Sequence, residues 1–315
     1  MKKYLYLSLS ILFLLTLIFL HFFFQPTPSA DSIGLQPDIN KLMLKSYSPL
    51  FIIISFIYLI IFITGVVNFF IFLIKRVSGK SIIDISLEPK KINLSFEKAS
   101  KLLFFITASI LTAYLLTGLV YFVKVYKTKI NLILLVNMLL QIVIIFLILK
   151  DIKLKDLGLN FNKKQLVFAF RIYSVALPLV LLALILNNSL AKFLKVPPSS
   201  GPAVELFFAL DNKISALILA VQVILLGPIA EELFFRGFIY RITRNKYSPL
   251  ISTMLISLVF SLAHQAFYNV FGLFLLSAAL CYLYEKTQNI ATAVVFHATH
   301  NFINISFLLL LKGLI

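Results

Sequence analysis

Two adjacent glutamates and an arginine stand within a strongly apolar part of the chain, in residues 228–237. A charged side chain at the centre of a membrane helix costs roughly 2.5–3.5 kcal/mol, so such residues usually mark a functional site. Glu232 and Arg236 are spaced i,i+4 and can form an ion pair on one helical face. Glu231 lies about 100° further around the helix, where it faces other groups. A carboxylate that is paired with a cation, next to a second carboxylate that is not, predicts an acid–base site.

Two histidines and an asparagine in the C-terminal part of the chain extend this site. His264 lies 16 positions after Ser248, and Glu231 lies 17 positions before it. If Ser248 marks the turn between two antiparallel helices, a rise of about 1.5 Å per residue puts both side chains roughly 25 Å from the turn. His297 and Asn301 share one face of another helix and reach a similar depth. We therefore predict that these four side chains share one buried polar pocket.

The residue types in this pocket suit hydrolysis of an amide bond. Glu231 can act as a general base toward a water molecule, and His264 can share that water. His297 and the amide of Asn301 are suitable donors to the oxygen on which negative charge develops. The chain has no serine or cysteine in a nucleophile motif and no HExxH zinc motif. Together these residue types are typical of water-mediated amide hydrolysis.

The composition places this chemistry in a membrane. Of 315 residues, 61% are hydrophobic and 13% are charged, whereas soluble domains carry about 25% charged residues. The net charge of +17 is concentrated in short connections between apolar runs, as the positive-inside rule describes, which argues against a nucleic-acid partner. We predict an all-α, polytopic membrane helical bundle of about nine transmembrane helices, with the N-terminus inside, the C-terminus outside and the catalytic pocket between C-terminal helices. The predicted spans are residues 4–24, 49–74, 102–123, 130–149, 165–186, 206–226, 250–267, 270–284 and 290–311.

The chain divides near the basic connection around residue 160. Residues 1–160 are predicted to form N-terminal membrane helices with basic cytoplasmic connections, and residues 165–311 the catalytic membrane domain. The first span is expected to be a retained anchor, and a signal peptide ending near residue 30 is the alternative. A composition rich in lysine, isoleucine and phenylalanine favours a multi-pass protein of a bacterial cytoplasmic membrane. Cys281 and His300 are expected to be packing residues.

Three motifs of the chain resemble, in order, residue type and spacing, those of the CPBP intramembrane proteases: Glu231-Glu232-x-x-x-Arg236, Phe260-x-x-x-His264 and His297-x-x-x-Asn301. That family, also called Abi, groups the CAAX prenyl endopeptidases with bacteriocin-processing and bacteriocin-immunity proteins. The resemblance covers roughly residues 165–311 and leaves the first half of the chain unaccounted for. It implies an all-α membrane fold with the site between helices.

The resemblance also implies a mechanism and a kind of substrate. It assigns roles to six residues: Glu231 and His264 activate the water, His297 and Asn301 form the oxyanion site, and Glu232 and Arg236 support them. Members of the family are glutamate-dependent, so no catalytic metal or other cofactor is expected. The implied substrate is a membrane-associated protein or peptide precursor, reached within the lipid bilayer.

Three alternatives stay open from the residues alone. Glu231, His264 and His297 are a possible His₂Glu ligand set for Zn²⁺, with one position left for water. Acidic residues and histidines in membrane spans also build the proton relays of transporters, although here they cluster in one half of the chain without an inverted repeat. The last alternative is a non-catalytic immunity or scaffold protein that has kept the fold.

Overall fold

The structure is a computed structural model that describes residues 2–23, 49–78, 94–120, 122–123, 125–159, 162–195, 202–210, 212–264 and 267–312. All regular elements within these ranges are helical, which confirms the predicted all-α fold. The long helices of the described part are α1 Lys2–Phe23, α2 Pro49–Val77, α3 Phe96–Val120, α4 Tyr126–Asp151, α5 Lys163–Phe193, α6 Lys213–Arg244, α7 Pro249–Ala263, α8 Val270–Thr287 and α9 Ile290–Lys312. Two short helices, Leu154–Leu157 and Pro202–Ala209, precede α5 and α6.

Seven of these helices are long and apolar enough to cross a membrane, namely α2 to α6, α8 and α9. The described apolar stretch of α1 is Tyr4–Thr16, and this stretch and α7 are both shorter than the 18 residues that this criterion requires. The prediction of a polytopic membrane bundle is therefore confirmed, whereas the count of nine spans is not. The alternatives for the first span concern residues near 30, which lie outside the described residues.

The sixth predicted span, residues 206–226, has the wrong bounds. The helix Pro202–Ala209 ends before this region, and α6 begins at Lys213 and continues to Arg244. Asn212 caps α6, because its side chain accepts the N–H of Ser215 at 2.8 Å. The predicted span ended at residue 226, before the charged residues of the motif, and the prediction counted Arg241 and Arg244 in the connection that follows. In the structure Arg241 is instead buried within the helix, at 5% exposure.

The helix α6 is irregular on both sides of the glutamate pair. The α-helical turn Gly227–Glu232 lies between two π-helical segments, Gln222–Leu226 and Leu233–Tyr240. Proline has no N–H and its ring clashes with an α-helical carbonyl, so Pro228 disfavours a regular helix before it. The preceding turn widens accordingly, and the Gly227 N–H bonds to the carbonyl of Gln222. Such π segments are rare and often occur at functional sites.

Polar contacts show that α6 and α8 run in the same direction. Arg236 in α6 bonds to Ser277 in α8, and eight residues further along both helices Arg244 pairs with Glu285. The helix α7 must therefore carry the chain back between them, although it has only 15 residues. Its start is the predicted turn, because the Ser248 hydroxyl accepts the N–H of Ile251 at 3.4 Å.

The start of α9 is fixed by a glycine in the left-handed region. Gly158 has φ +69°, and a Cβ there would lie 2.3 Å from the carbonyl oxygen of Gln288, so only glycine fits without a shift. Its own carbonyl accepts the N–H of Ile290 at 2.9 Å, which satisfies a donor in the first turn of α9. This contact sets the depth of His297, two turns further along the helix.

The directions of the helices lead to a topology prediction, which tests whether α7 crosses the membrane. Five helices, α5 to α9, separate residue 160 from the C-terminus, and residue 160 itself lies outside the described residues. If all five cross the membrane, reporter fusions after residue 160 and at the C-terminus report opposite sides, with residue 160 inside. A fusion after Lys246, between α6 and α7, is the control and should report the same side as residue 160. Fusions at residue 160 and the C-terminus on one side would show that α7 does not cross.

Candidate active site

A buried ion pair joins Glu232 and Arg236 at the centre of α6. The Arg236 Nη1 lies 2.9 Å from the Glu232 Oε1, and both side chains are 0% exposed. The Nη2 of Arg236 donates to the hydroxyl of Ser277 in α8 at 2.7 Å, and its guanidinium lies 5.0 Å from the ring centre of Phe260 in α7. A guanidinium at this distance from an aromatic face is stabilised by a cation–π interaction. Three helices therefore surround this charge.

The same carboxylate holds His297. Glu232 Oε1 lies 2.8 Å from the imidazole Nδ1 of His297 in α9, and the histidine is 3% exposed. An ionised carboxylate only accepts hydrogen bonds, so Nδ1 carries the hydrogen. This bond fixes the ring so that its other nitrogen, Nε2, lies 3.9 Å from Glu231 Oε2. Glu232 thus orients His297 toward its own neighbour in the sequence.

His264 is oriented in the same way by a different acceptor. Its Nδ1 lies 2.7 Å from the carbonyl oxygen of Phe260, one turn earlier in the chain. A carbonyl can only accept, so His264 also carries its hydrogen on Nδ1 and presents Nε2 outward. That Nε2 lies 3.7 Å from Glu231 Oε2. The predicted proximity of Glu231 and His264 is confirmed.

The Nε2 atoms of both imidazoles lie close to the carboxylate of Glu231. Its Oε2 is enclosed and makes no hydrogen bond within the described part of the chain, although the side chain as a whole is 34% exposed. The distances of 3.7 and 3.9 Å to the two Nε2 atoms exceed a direct hydrogen bond. A water between a carboxylate and an imidazole can bridge polar groups at such a separation. The geometry therefore has the form of a water-binding site with one carboxylate and two ring nitrogens.

Asn301 lies next to this group but has another contact. Its Nδ2 donates to the backbone carbonyl of Val223 at 2.8 Å, in the first π segment of α6. In a π-helical register that carbonyl would bond to residue 228, which is a proline without an N–H. The side chain of Asn301 thus supplies a donor that Pro228 lacks, and the second N–H of its amide is left for another acceptor.

The remaining sequence predictions concern residues near the site. The His300 ring lies 6.0 Å from that of Tyr173 in α5, and its Nε2 is 3.0 Å from the Nδ2 of Asn304. Cys281 is fully buried in α8. Both placements agree with the predicted packing roles.

Sequence reasoning missed two polar residues that face the motif helix. Ser277 binds Arg236, and Gln141 in α4 approaches the turn that carries Glu231. A polar residue within an apolar run is a signal for both. The signal is weak for Ser277, because serine is common wherever membrane helices pack together. Gln141 also lies outside the region that resembles the CPBP family.

The zinc alternative names Glu231, His264 and His297. Within the described ranges, no group of three or more histidine, cysteine, aspartate or glutamate side chains has the spacing of an ion site. The two nitrogen–oxygen separations, 3.7 and 3.9 Å, are wider than the roughly 3.3 Å between ligands about 2 Å from a tetrahedral zinc. Metal-free catalysis remains a prediction that metal analysis must test.

Comparison with known proteins gave one match, which covers part of the chain. Residues 213–303 match the family model described as Type II CAAX prenyl endopeptidase Rce1-like. This range begins at the first residue of α6, ends within α9 and contains all three motifs, and it confirms the resemblance to the CPBP and CAAX proteases. The match supports a membrane protease. Comparison with curated proteins gave no match, and neither did comparison with solved structures.

The two glutamates should differ in their effect on stability. Glu232→Gln leaves the buried Arg236 without its carboxylate, and breaking a buried pair in this way costs about 3–5 kcal/mol. We expect a lower yield and a lower melting temperature of the purified protein in detergent. Glu231→Gln is the matched control, because no described ion pair closer than 3.7 Å is lost, and it should melt like the native protein. Equal melting temperatures for the two variants would contradict the structural role of Glu232.

Proposed function

We propose that this protein is an intramembrane endopeptidase that hydrolyses a peptide bond of a membrane-associated protein or peptide precursor. The observation that carries the proposal is the enclosed Glu231 Oε2, which has no hydrogen bond within the described residues and faces two imidazole Nε2 atoms at 3.7 and 3.9 Å. The family match over residues 213–303 supports the same class of activity. Glu231 and His264 activate the water in this mechanism.

The first step is attack by water. The water lies between Glu231 Oε2 and the Nε2 of His264, which both accept hydrogen bonds and so direct a lone pair of the water toward the substrate. Glu231 takes one proton as the water oxygen bonds to the peptide carbon. The π electrons of the carbonyl move to its oxygen, which becomes the oxyanion of a tetrahedral intermediate.

His297 can stabilise that oxyanion only in its protonated form. Its Nδ1 hydrogen is used by Glu232, so donation from Nε2 requires a second hydrogen. The charges of the site make this reasonable, because it holds two carboxylates, of which only Glu232 is paired with a guanidinium, that of Arg236. One additional proton on His297 makes the buried group neutral, and neutral groups are far less costly than net charge in a low-dielectric environment.

The second step breaks the peptide bond. As the C–N bond cleaves, the electron pair of the oxyanion returns to form the new carboxyl group. The leaving nitrogen takes the proton that Glu231 received, so Glu231 is a carboxylate again at the end of the cycle. Asn301 assists with the amide N–H that Val223 does not use, and one such donor typically contributes about 10²–10³ in rate.

The surroundings of the site suit a substrate from the membrane. Glu231 and His264 are partly open, at 34% and 30% exposure. A substrate segment can therefore reach both side chains from outside the helix bundle. Placement in a bacterial cytoplasmic membrane is part of this proposal.

A zinc-dependent version is the second candidate, and one observation favours it. Metal-ligating histidines usually donate their other ring N–H to a carboxylate or a backbone carbonyl. His297 and His264 do so, to Glu232 and to Phe260. In that version Glu231 and the two Nε2 atoms are ligands, and a bound ion would activate the water.

Comparing cells tests the activity even while the substrate is unidentified. Cells with native protein and cells with Glu231→Gln are compared by quantitative proteomics of their membrane and secreted fractions. The variant removes the base without breaking the buried pair, so uncut precursors should accumulate in variant cells while the protein remains at its normal level. Identical proteomes would refute the proposed protease.

A double-variant series tests the shared water. If Glu231 and His264 act on one water, Glu231→Ala and His264→Ala each remove nearly all activity, and the double variant is little worse than either. Asn301→Ala should retain activity at about 10²–10³ below native. A peptide copied from the cut region of an accumulated precursor serves as the substrate.

Metal content, measured in the same purified samples, separates the two mechanisms. We expect no stoichiometric metal in the native protein and unchanged activity after chelation. Stoichiometric zinc that disappears in both His264→Ala and His297→Ala would establish the zinc-dependent version instead.

A further inference from the structure

An amide from the N-terminal half of the chain borders the candidate active site. The helix α4 packs beside α6 and runs in the same direction. Gln222 of α6 donates to the backbone carbonyl of Leu134 at 2.9 Å, and two turns further along α4 the side chain of Gln141 reaches Gly227. This region lies outside the family match, which begins at residue 213.

Gly227 leaves a small space, here called the notch, between Gln141 and Glu231. The position of a Cβ at Gly227 is 3.5 Å from Gln141 Nε2, 3.6 Å from Glu231 Oε1 and 3.1 Å from the carbonyl oxygen of Gln222. A side chain at residue 227 would fill this position. Glycine instead allows another group to approach the backbone there. Glu231 has one oxygen facing the histidines and the other at this notch.

The amide of Gln141 has an unpaired oxygen. Its Oε1 is buried and makes no hydrogen bond within the described residues. Leaving a buried polar group unpaired is unfavourable, most of all where no water can replace the partner. The Glu231 carboxylate lies across the notch. Its negative charge favours the orientation of the Gln141 amide in which the N–H groups face the notch.

We propose that Gln141 is a further catalytic residue, which donates a hydrogen bond from Nε2 to the carbonyl oxygen of the scissile peptide bond as it becomes an oxyanion. The inference rests on the proposed protease function and adds a donor to it. The proposed oxyanion also needs a further hydrogen-bond donor. Asn301 already uses one N–H on Val223, and the Nδ1 hydrogen of His297 is used by Glu232, so an amide whose N–H groups face the notch is well placed to bind the developing charge.

The test uses Gln141→Met in the full-length protein. Methionine has nearly the same length and volume and is apolar, so the variant removes the donor while keeping the packing of a membrane helix. Ile142→Ala is the matched control on α4, because Ile142 is the next residue and is 46% exposed on the outer face. Native, Glu231→Gln, Gln141→Met and Ile142→Ala cells are compared for uncut precursors, and each purified protein for its melting temperature.

We expect Gln141→Met to accumulate the same precursors as Glu231→Gln while melting like the native protein. With a quenched fluorescent peptide copied from the cut region, kcat should fall about 10²–10³-fold and KM should change less than about threefold, as for loss of a transition-state donor. Gly227→Ala is a second variant. Its methyl group enters the notch without removing any polar side chain, and it should also lower kcat.

The results that would contradict the proposed function and those that would contradict the role of Gln141 are different. Identical proteomes of native and Glu231→Gln cells would refute the protease and, with it, the role of Gln141. A clear effect of Glu231→Gln together with normal processing by Gln141→Met would overturn the role of Gln141 alone. A rise in KM at unchanged kcat, or a loss that follows a lowered melting temperature, would also overturn it, because either would assign Gln141 to binding or packing.

Discussion

The buried pair of Glu232 and Arg236 is the interaction on which the rest of the site depends. Neither charge is stable alone in a low-dielectric interior, and each also bonds to a further neighbour, Ser277 of α8 for the arginine and His297 of α9 for the glutamate. The pair therefore links α6 to α8 and α9. The Oε1 of Glu232 accepts from both Arg236 and His297, whereas Glu231 forms no such short contact and is the carboxylate that the proposed mechanism assigns to the water. The two neighbouring glutamates therefore differ in their roles because they have different partners.

A second constraint comes from Pro228. The proline and the π-helical turn before it leave the carbonyl of Val223 without a partner in the helix, and Asn301 provides one from α9. A residue that sequence reasoning assigned to the oxyanion is therefore also a structural contact between α9 and α6. The two contacts of α9 with α6, at His297 and Asn301, lie one turn apart and fix how the helix is rotated. The geometry of the candidate site and the backbone hydrogen bonding of α6 thus depend on the same contacts.

Much of this arrangement follows from the sequence because helices have a constant rise. The turn at Ser248 and the common depth of Glu231 and His264 could be predicted by counting residues on either side of the turn. The bounds of the sixth span could not, because the sequence does not show whether charged residues such as Glu232, Arg236 and Arg241 are buried within a helix or lie in a connection. The partners Ser277 and Gln141 could not be predicted either, since they depend on which faces of α4, α6 and α8 meet. The proposed division into residues 1–160 and 165–311 remains a prediction.

The total charge of the site offers a physical reason for its number of histidines. With two carboxylates, one guanidinium and two neutral imidazoles, the partly buried site carries one negative charge, which membrane surroundings disfavour. A single proton shared among Glu231, the water and the two Nε2 atoms removes that charge. Each imidazole keeps its Nδ1 hydrogen on a fixed acceptor, so this proton can move only among groups that face the water. The hydrogen bonds that hold the rings in place thus also confine this proton to the side of the rings where the proposed hydrolysis would use it.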